Sequence, residues 1–166
     1  GEAYFIRGLL HFYMVELYGD IPYVSTTDYI INQSVSRMPV SEVYLRIEED
    51  LKKAETMLSD TYPSANRTHI NRSGVRLSLA RMYLYQNKWS DAKDYASLVI
   101  QNPAYSVEQD LSKTFLKDSK SAVWQFMPVD AGINTLEGQY YTFLALPPAN
   151  VVLSQSLLNS FESGDQ

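Results

Sequence analysis

The chain of 166 residues contains no cysteine, which excludes disulfides and thiol chemistry and leaves packing to hold the fold. No stretch approaches the ~18 consecutive apolar residues of a membrane-spanning helix. Acidic residues outnumber basic ones by 19 to 14, the net charge is −5, and no basic stripe follows the pattern of a nucleic-acid binder. Histidine is scarce too: His11 and His69 are the two present, with neither a triad signature nor a metal-ligand cluster around them. No cofactor-binding motif is read. A glycosidase needs two carboxylates about 5–5.5 or 6.5–9.5 Å apart. Asp130 and Glu137 share a loop, but a chain with 19 acidic residues always offers such a pair. No catalytic residue is assigned, and an enzyme is not expected.

What the chain has in quantity is tyrosine, 13 residues, in a composition that is otherwise ordinary for a globular protein. Tyrosine suits wet recognition surfaces because it joins a flat apolar ring to a polar tip. Most of these tyrosines are expected at helix interfaces and the rest in loops. The length fits one domain, which can bury roughly 68–70% of its unfolded surface.

The segment Glu2–Tyr18 carries Phe5, Ile6, Leu9, Leu10, Phe12, Tyr13, Val15 and Leu17 almost all round, so it predicts a helix buried on most sides. Its scattered charges, Glu2, Arg7, His11 and Glu16, do not fit the basic start and apolar middle of a signal peptide, so the segment is expected to be a buried helix of the mature protein. Arg7 is expected to bond main-chain carbonyls or a carboxylate such as Asp20 or Asp50. Gly19 and Pro22 end the helix sharply. A second helix is predicted from Ser41 to Leu58, with Val43, Ile47, Leu51, Ala54 and Leu58 on one face and Arg46, Glu49, Lys52 and Lys53 on the other. Ser73 is expected to cap a third, with Val75, Leu79, Met82 and Tyr83 inward. A fourth starts near Ser90 and stops at Asn102-Pro103. Beyond Pro103 the pattern weakens: a short helix at 111–116, short strands at 122–126 and 140–146, and a last helix at 153–161.

The third and fourth helices form a hairpin with Ala80, Ala92 and Ala96 at the contact, similar to a tetratricopeptide repeat. The repeat's leading Trp falls on Arg76, and its second-helix aromatic falls on Ala96. Gly19 to Val40 is too long for a regular tandem array; connections over about 12–15 residues are usually functional or disordered, and the helical pairs read as a scaffold with expanded connections.

Taken in order, these motifs resemble the SusD/RagB-like outer-membrane lipoproteins of Bacteroidota. The matching residues are Arg7, Phe12, Tyr18, Gly19, Asp20, Ile21 and Pro22, then Arg37, Glu42, Val43, Tyr44, Ile47, Asp50, Leu51 and Ala54. The hairpin adds Leu79, Ala80, Arg81, Tyr83, Leu84, Tyr85, Trp89, Ala92, Ala96, Val99 and Ile100. Val123-Trp124-Gln125-Phe126 and the ending Phe161-Glu162-Ser163-Gly164-Asp165 complete it. The segment Thr68-His69-Ile70-Asn71 departs from the family's Gly-Arg-Ala-Thr.

The resemblance implies a mostly α SusD-like fold, built on tetratricopeptide-like helix pairs with long loops and a few short strands. It implies one domain over 1–166, a fragment of a longer chain, with a helical scaffold at 1–103 and a loop-rich segment with a last helix at 104–166. It further implies a cell-surface protein that captures glycans or oligosaccharides and delivers them to a SusC-like TonB-dependent transporter. Membrane attachment would come through a lipid anchor outside this chain, at the outer membrane. Glycan binding needs aromatic faces flanked by amides and carboxylates, and three loops offer them. The ligand-binding candidates are Tyr23, Asp28, Tyr29 and Asn32 in the first, Tyr62 in the second, and Asn134 and Tyr140 in the third. Trp89 is expected to pack the hairpin and Trp124 to enter the core. The alternative reading is a tetratricopeptide scaffold for protein–protein interaction.

Overall fold

The computed structural model describes residues 1–127, 140, 152–162 and 164. Residues 1–125 form one compact unit and 126–166 another. The first unit contains α1 (Glu2–Tyr18), α2 (Tyr29–Gln33), α3 (Val40–Met57), α4 (Arg72–Tyr85), α5 (Trp89–Ile100) and a 3₁₀ turn at Leu111–Lys113. The second contains α6 (Gln155–Leu158), whose first turn is capped by the Ser154 hydroxyl accepting from Leu157 N–H at 3.2 Å. Among the described residues the β pairing is confined to one antiparallel bridge, Ile21 with Met38.

Packing follows the helical periodicities. α1 lies along α3, α3 against α4, and α4 along α5. Phe5, Phe12 and Val15 of α1 meet Val43, Ile47, Leu51 and Ala54 of α3, and Val75, Leu79, Met82 and Tyr83 extend the core through α4. Burying each large aliphatic or aromatic side chain contributes roughly 1.5–3 kcal/mol. The α4–α5 hairpin closes on the small residues Ala80 and Ala92, both nearly buried. Arg76, at the position of the repeat's Trp, instead pairs with Glu55 at 2.8 Å and ties α4 to α3.

Several expectations need correction. α1 is buried along one face only; Ile6, Leu10, Tyr13, Met14, Leu17 and Tyr18 are exposed on the others, since α3 covers a single side. Asn71 rather than Ser73 caps α4, its Oδ1 accepting from Gly74 N–H at 3.1 Å, and Ser73 is buried within the first turn, two residues after the cap. The strand expected at 122–126 does not form, because Trp124 and Gln125 bond to the loop at 66–68 instead of to a neighbouring strand. Trp124 does reach the core, edge-on to Phe5 at 5.3 Å. Trp89, expected to pack the hairpin, is 60% exposed. The helices expected at 111–116 and 153–161 shorten to the 3₁₀ turn and to α6. The strand expected at 140–146 falls, apart from Tyr140, outside the described residues.

Candidate functional site

The first loop is shaped by how α1 ends. Gly19, at φ 71°, takes a backbone conformation that L side chains rarely adopt and returns its N–H to Val15 at 3.0 Å. The chain then turns back on α3. Asp20 Oδ1 accepts from Val40 N–H at 3.0 Å, capping α3 from across the loop, and Met38 N–H donates to the Ile21 carbonyl at 2.9 Å. These two bonds close the neck of a compact Ω-like loop.

Inside the neck, polar groups that the core would otherwise exclude satisfy one another. Arg7 grips Asp50 with Nε and Nη2 at 2.5 and 2.6 Å and donates from Nη1 to the Ser25 carbonyl at 3.2 Å. Tyr23 donates its hydroxyl to Asp50 at 2.6 Å, and its ring stacks on His11 at 4.0 Å. The His11 Nδ1 is 2.8 Å from the Arg7 carbonyl, which can only accept, so Nδ1 carries the proton. Its Nε2 accepts from Val24 N–H at 3.2 Å. Burial alone would raise the Asp50 carboxyl, but hydrogen bonds from Arg7 and Tyr23 and the Arg7 charge hold it below its ordinary value. Burial, followed by the bond to Asp50, pushes the Tyr23 phenol up.

Beyond this anchor the loop presents its tip. Asp28 Oδ1 caps α2, accepting from Ile30 and Ile31 N–H at 2.9 and 3.4 Å. Asn32 Nδ2 donates to the Thr26 carbonyl at 2.8 Å, while its Oδ1 is buried with no hydrogen-bond partner among the described residues. Tyr29 is 69% exposed, beside exposed Ile30 and Ile31. Two concavities flank the loop base. One, of ≈ 620 Å³, is apolar and runs along α1 past Ile6, Leu10 and Met14 to Pro22 and Val24. The other, of ≈ 400 Å³, is lined by Tyr4, Arg7 and the hydroxyl-bearing run Ser25-Thr26-Thr27.

The structure thus brings Asp28, Tyr29 and Asn32 together at the tip, with Tyr29 offering a free-standing ring. Tyr23 is committed to the anchor. Tyr62 is committed elsewhere: its hydroxyl contacts Tyr105 Oη at 2.7 Å and donates to the Val123 carbonyl at 2.6 Å. Tyr140 is about half exposed, and Asn134, Asp130 and Glu137 lie outside the described residues. Sequence reasoning did not find the role of Arg67. At φ 51° it donates from Nη1 to the Ser119 and Ala122 carbonyls at 3.1 and 2.5 Å, with its guanidinium over the rings of Tyr62 and Tyr105. No local motif announces a side chain whose acceptors are main-chain carbonyls 37, 52 and 55 residues away. Among the described residues no group of three or more His, Asp or Glu could hold a metal ion.

A family model described as "Starch-binding associating with outer membrane", SusD-like_3, matches residues 1–84, which hold α1, α2, α3, the first loop and nearly all of α4. The chain belongs to this SusD-like family. It is 34% identical over 105 residues to SusD-like protein P2 of Formosa agariphila, a match covering 62% of this chain and 20% of that protein. It is similar to the crystal structure of a SusD-like carbohydrate binding protein from Bacteroides vulgatus, with 25% identity and a TM-score of 0.61, over 75% of this chain and 29% of that one. A SusD superfamily protein from Bacteroides fragilis shares the fold at a TM-score of 0.69 and 20% identity, over 86% of this chain and 32% of that one. The chain therefore spans about a fifth of the curated relative and under a third of these two structures.

Proposed function

We propose that this chain is part of a single-domain, cell-surface glycan-binding protein that passes oligosaccharides to a SusC-like TonB-dependent transporter in the outer membrane. The lipid anchor of such a protein would lie outside these residues. The observation that carries the reading is the family match across residues 1–84, which includes the whole first loop. The geometry supports it. A ring 69% exposed stands at the tip of a loop whose base is bonded to two helices. Stacking on the C–H face of a sugar needs an aromatic held in place and open to solvent, and Tyr29 has both properties. Asp28 directly precedes Tyr29 and Asn32 follows one turn later, both bonded within the loop, and the hydroxyl-bearing Ser25, Thr26 and Thr27 line the neighbouring concavity. The protein binds its ligand without covalent chemistry. A tetratricopeptide scaffold has less support, since the tied loop separates α1 from α3 and one hairpin alone, α4–α5, has repeat character.

Affinity gel electrophoresis of the full-length protein in gels cast with single polysaccharides, starch first, tests the reading. Retardation by at least one glycan, weakened by Tyr29→Ala, is expected. Migration unaffected by every glycan sinks glycan binding, and retardation equal in wild type and Tyr29→Ala removes the loop tip from the site.

A further inference from the structure

The tip of the first loop is a helix that its own backbone cannot sustain. α2 has five residues, none of them buried, and isolated helices below ~12–15 residues are marginal in water. Side-chain bonds supply what packing does not, and Thr26 holds both ends. Its Oγ1 accepts from Asp28 N–H at 3.1 Å, just before the helix, and its carbonyl accepts from Asn32 Nδ2 at 2.8 Å, one turn in. Ser34 Oγ donates to the Ile31 carbonyl at 2.9 Å and closes the far end. Tyr29 is the first residue of α2, so this clasp fixes the backbone from which its exposed ring projects. The Asn32 amide, by contrast, faces inward. Its Nδ2 is engaged with Thr26 and its Oδ1 is closed to solvent, so a sugar hydroxyl reaches that oxygen only if the tip opens.

We propose that Asn32 is a positioning residue: its clasp with Thr26 holds the Tyr29 ring ready for the C–H face of a sugar, and Asn32 itself does not touch the ligand. The proposal rests on the glycan reading of the loop tip. A ring carried on a loose tip has to be ordered at the moment of binding, which weakens affinity, and a tip already held in place avoids that cost. The chemistry of the side chain separates positioning from contact. A carboxylate at position 32 keeps the shape of the amide and accepts hydrogen bonds from sugar hydroxyls more strongly. It has no N–H to give the Thr26 carbonyl and repels that oxygen. Asn32→Asp therefore breaks the clasp while preserving, or improving, any direct contact with a sugar.

Two measurements on the full-length protein decide it. In the free protein, amide hydrogen exchange over residues 28–35 is followed by mass spectrometry. Asn32→Asp and Asn32→Ala are expected to exchange this segment about fivefold faster than wild type or more, with α1 and α3 unchanged. Equal exchange in wild type and Asn32→Asp overturns the clasp, whether or not a glycan binds. In affinity gels cast with a polysaccharide that retards wild type, both variants are expected to bind about five- to tenfold more weakly. In a Tyr29→Ala background the same substitutions are expected to cause no further loss, because positioning acts only through that ring. Binding by Asn32→Asp equal to that of wild type overturns the proposal, since the amide is then a contact or has no role. Losses that multiply in the double variant overturn it as well, since Asn32 then acts independently of Tyr29. Failure of every polysaccharide to retard wild type sinks the glycan reading and the binding role together, while the exchange result still accepts or rejects the clasp.

Discussion

Arg7 and Asp50 are 43 residues apart and form a bidentate pair against a nearly fully buried carboxylate. Removing one partner of such a pair leaves an uncompensated buried charge, which costs about 3–5 kcal/mol. Arg7 keeps some contact with solvent, so Arg7→Met should lie at the lower end, about 3 kcal/mol by chemical denaturation at neutral pH. The pH dependence follows from the lowered Asp50 carboxyl. A carboxyl with a folded pKa below its unfolded value stabilises above the unfolded value and loses that contribution as pH falls through the folded one. The stability difference between wild type and Asp50→Asn should therefore be full at pH 7 and shrink as pH drops below the ordinary Asp value of 3.8. A difference that stays constant through the acid range would remove the pair from the account. Tyr23 shares this carboxylate, so its best-defined contribution is to anchor the loop.

At the scale of elements, the ends of helices and loops carry the organisation. Nothing lies within 4 Å of a Cβ added at Gly19, so Gly19→Ala costs backbone strain and no collision. That strain is worth about 1–2 kcal/mol, and a melting-temperature drop without loss of helical circular dichroism should report it. The segment at 104–125 has little regular structure and is tied to the second loop by side chains. Arg67, Gln125 and the Trp124 indole supply most of these bonds, with the Gln125 Nε2 donating to the Asn66 carbonyl at 2.7 Å and the indole to the Thr68 carbonyl at 3.1 Å. Arg67→Ala should accordingly open 104–125 to limited proteolysis while α1–α5 stay protected. Equal cleavage of both regions would mean that the segment is held by something else.

For the whole molecule, binding and stability should separate. Tyr29 contributes little to the core, so Tyr29→Ala should weaken glycan retardation with a melting temperature within a degree or so of wild type, as exposed positions usually behave. Arg7→Met should do the reverse at the level of cause, lowering stability first and binding only as the loop loosens. Among the described residues no helix is long and apolar enough to cross a membrane.

Much of this was legible in the sequence because it is local chemistry. The span of α1, the amphipathic α3, the sharp stop at Gly19 and the α4–α5 hairpin depend on periodicity, capping and main-chain freedom within a few residues. So did the motif order that places the chain among SusD-like proteins. Tertiary structure decided what depends on partners distant in the chain. It selected Asp50 over Asp20 for Arg7, Asn71 over Ser73 as the cap of α4, and bonds to residues 66–68 over a strand at 122–126. It also drew Tyr23 inward and left Tyr29 outward, although the two share one loop and one side-chain chemistry. Periodicity states that a residue is apolar or polar on a face; which groups lie within hydrogen-bond reach is settled only when helices 40 residues apart pack, because the energy of a polar bond depends on burial and on a partner that local sequence does not name.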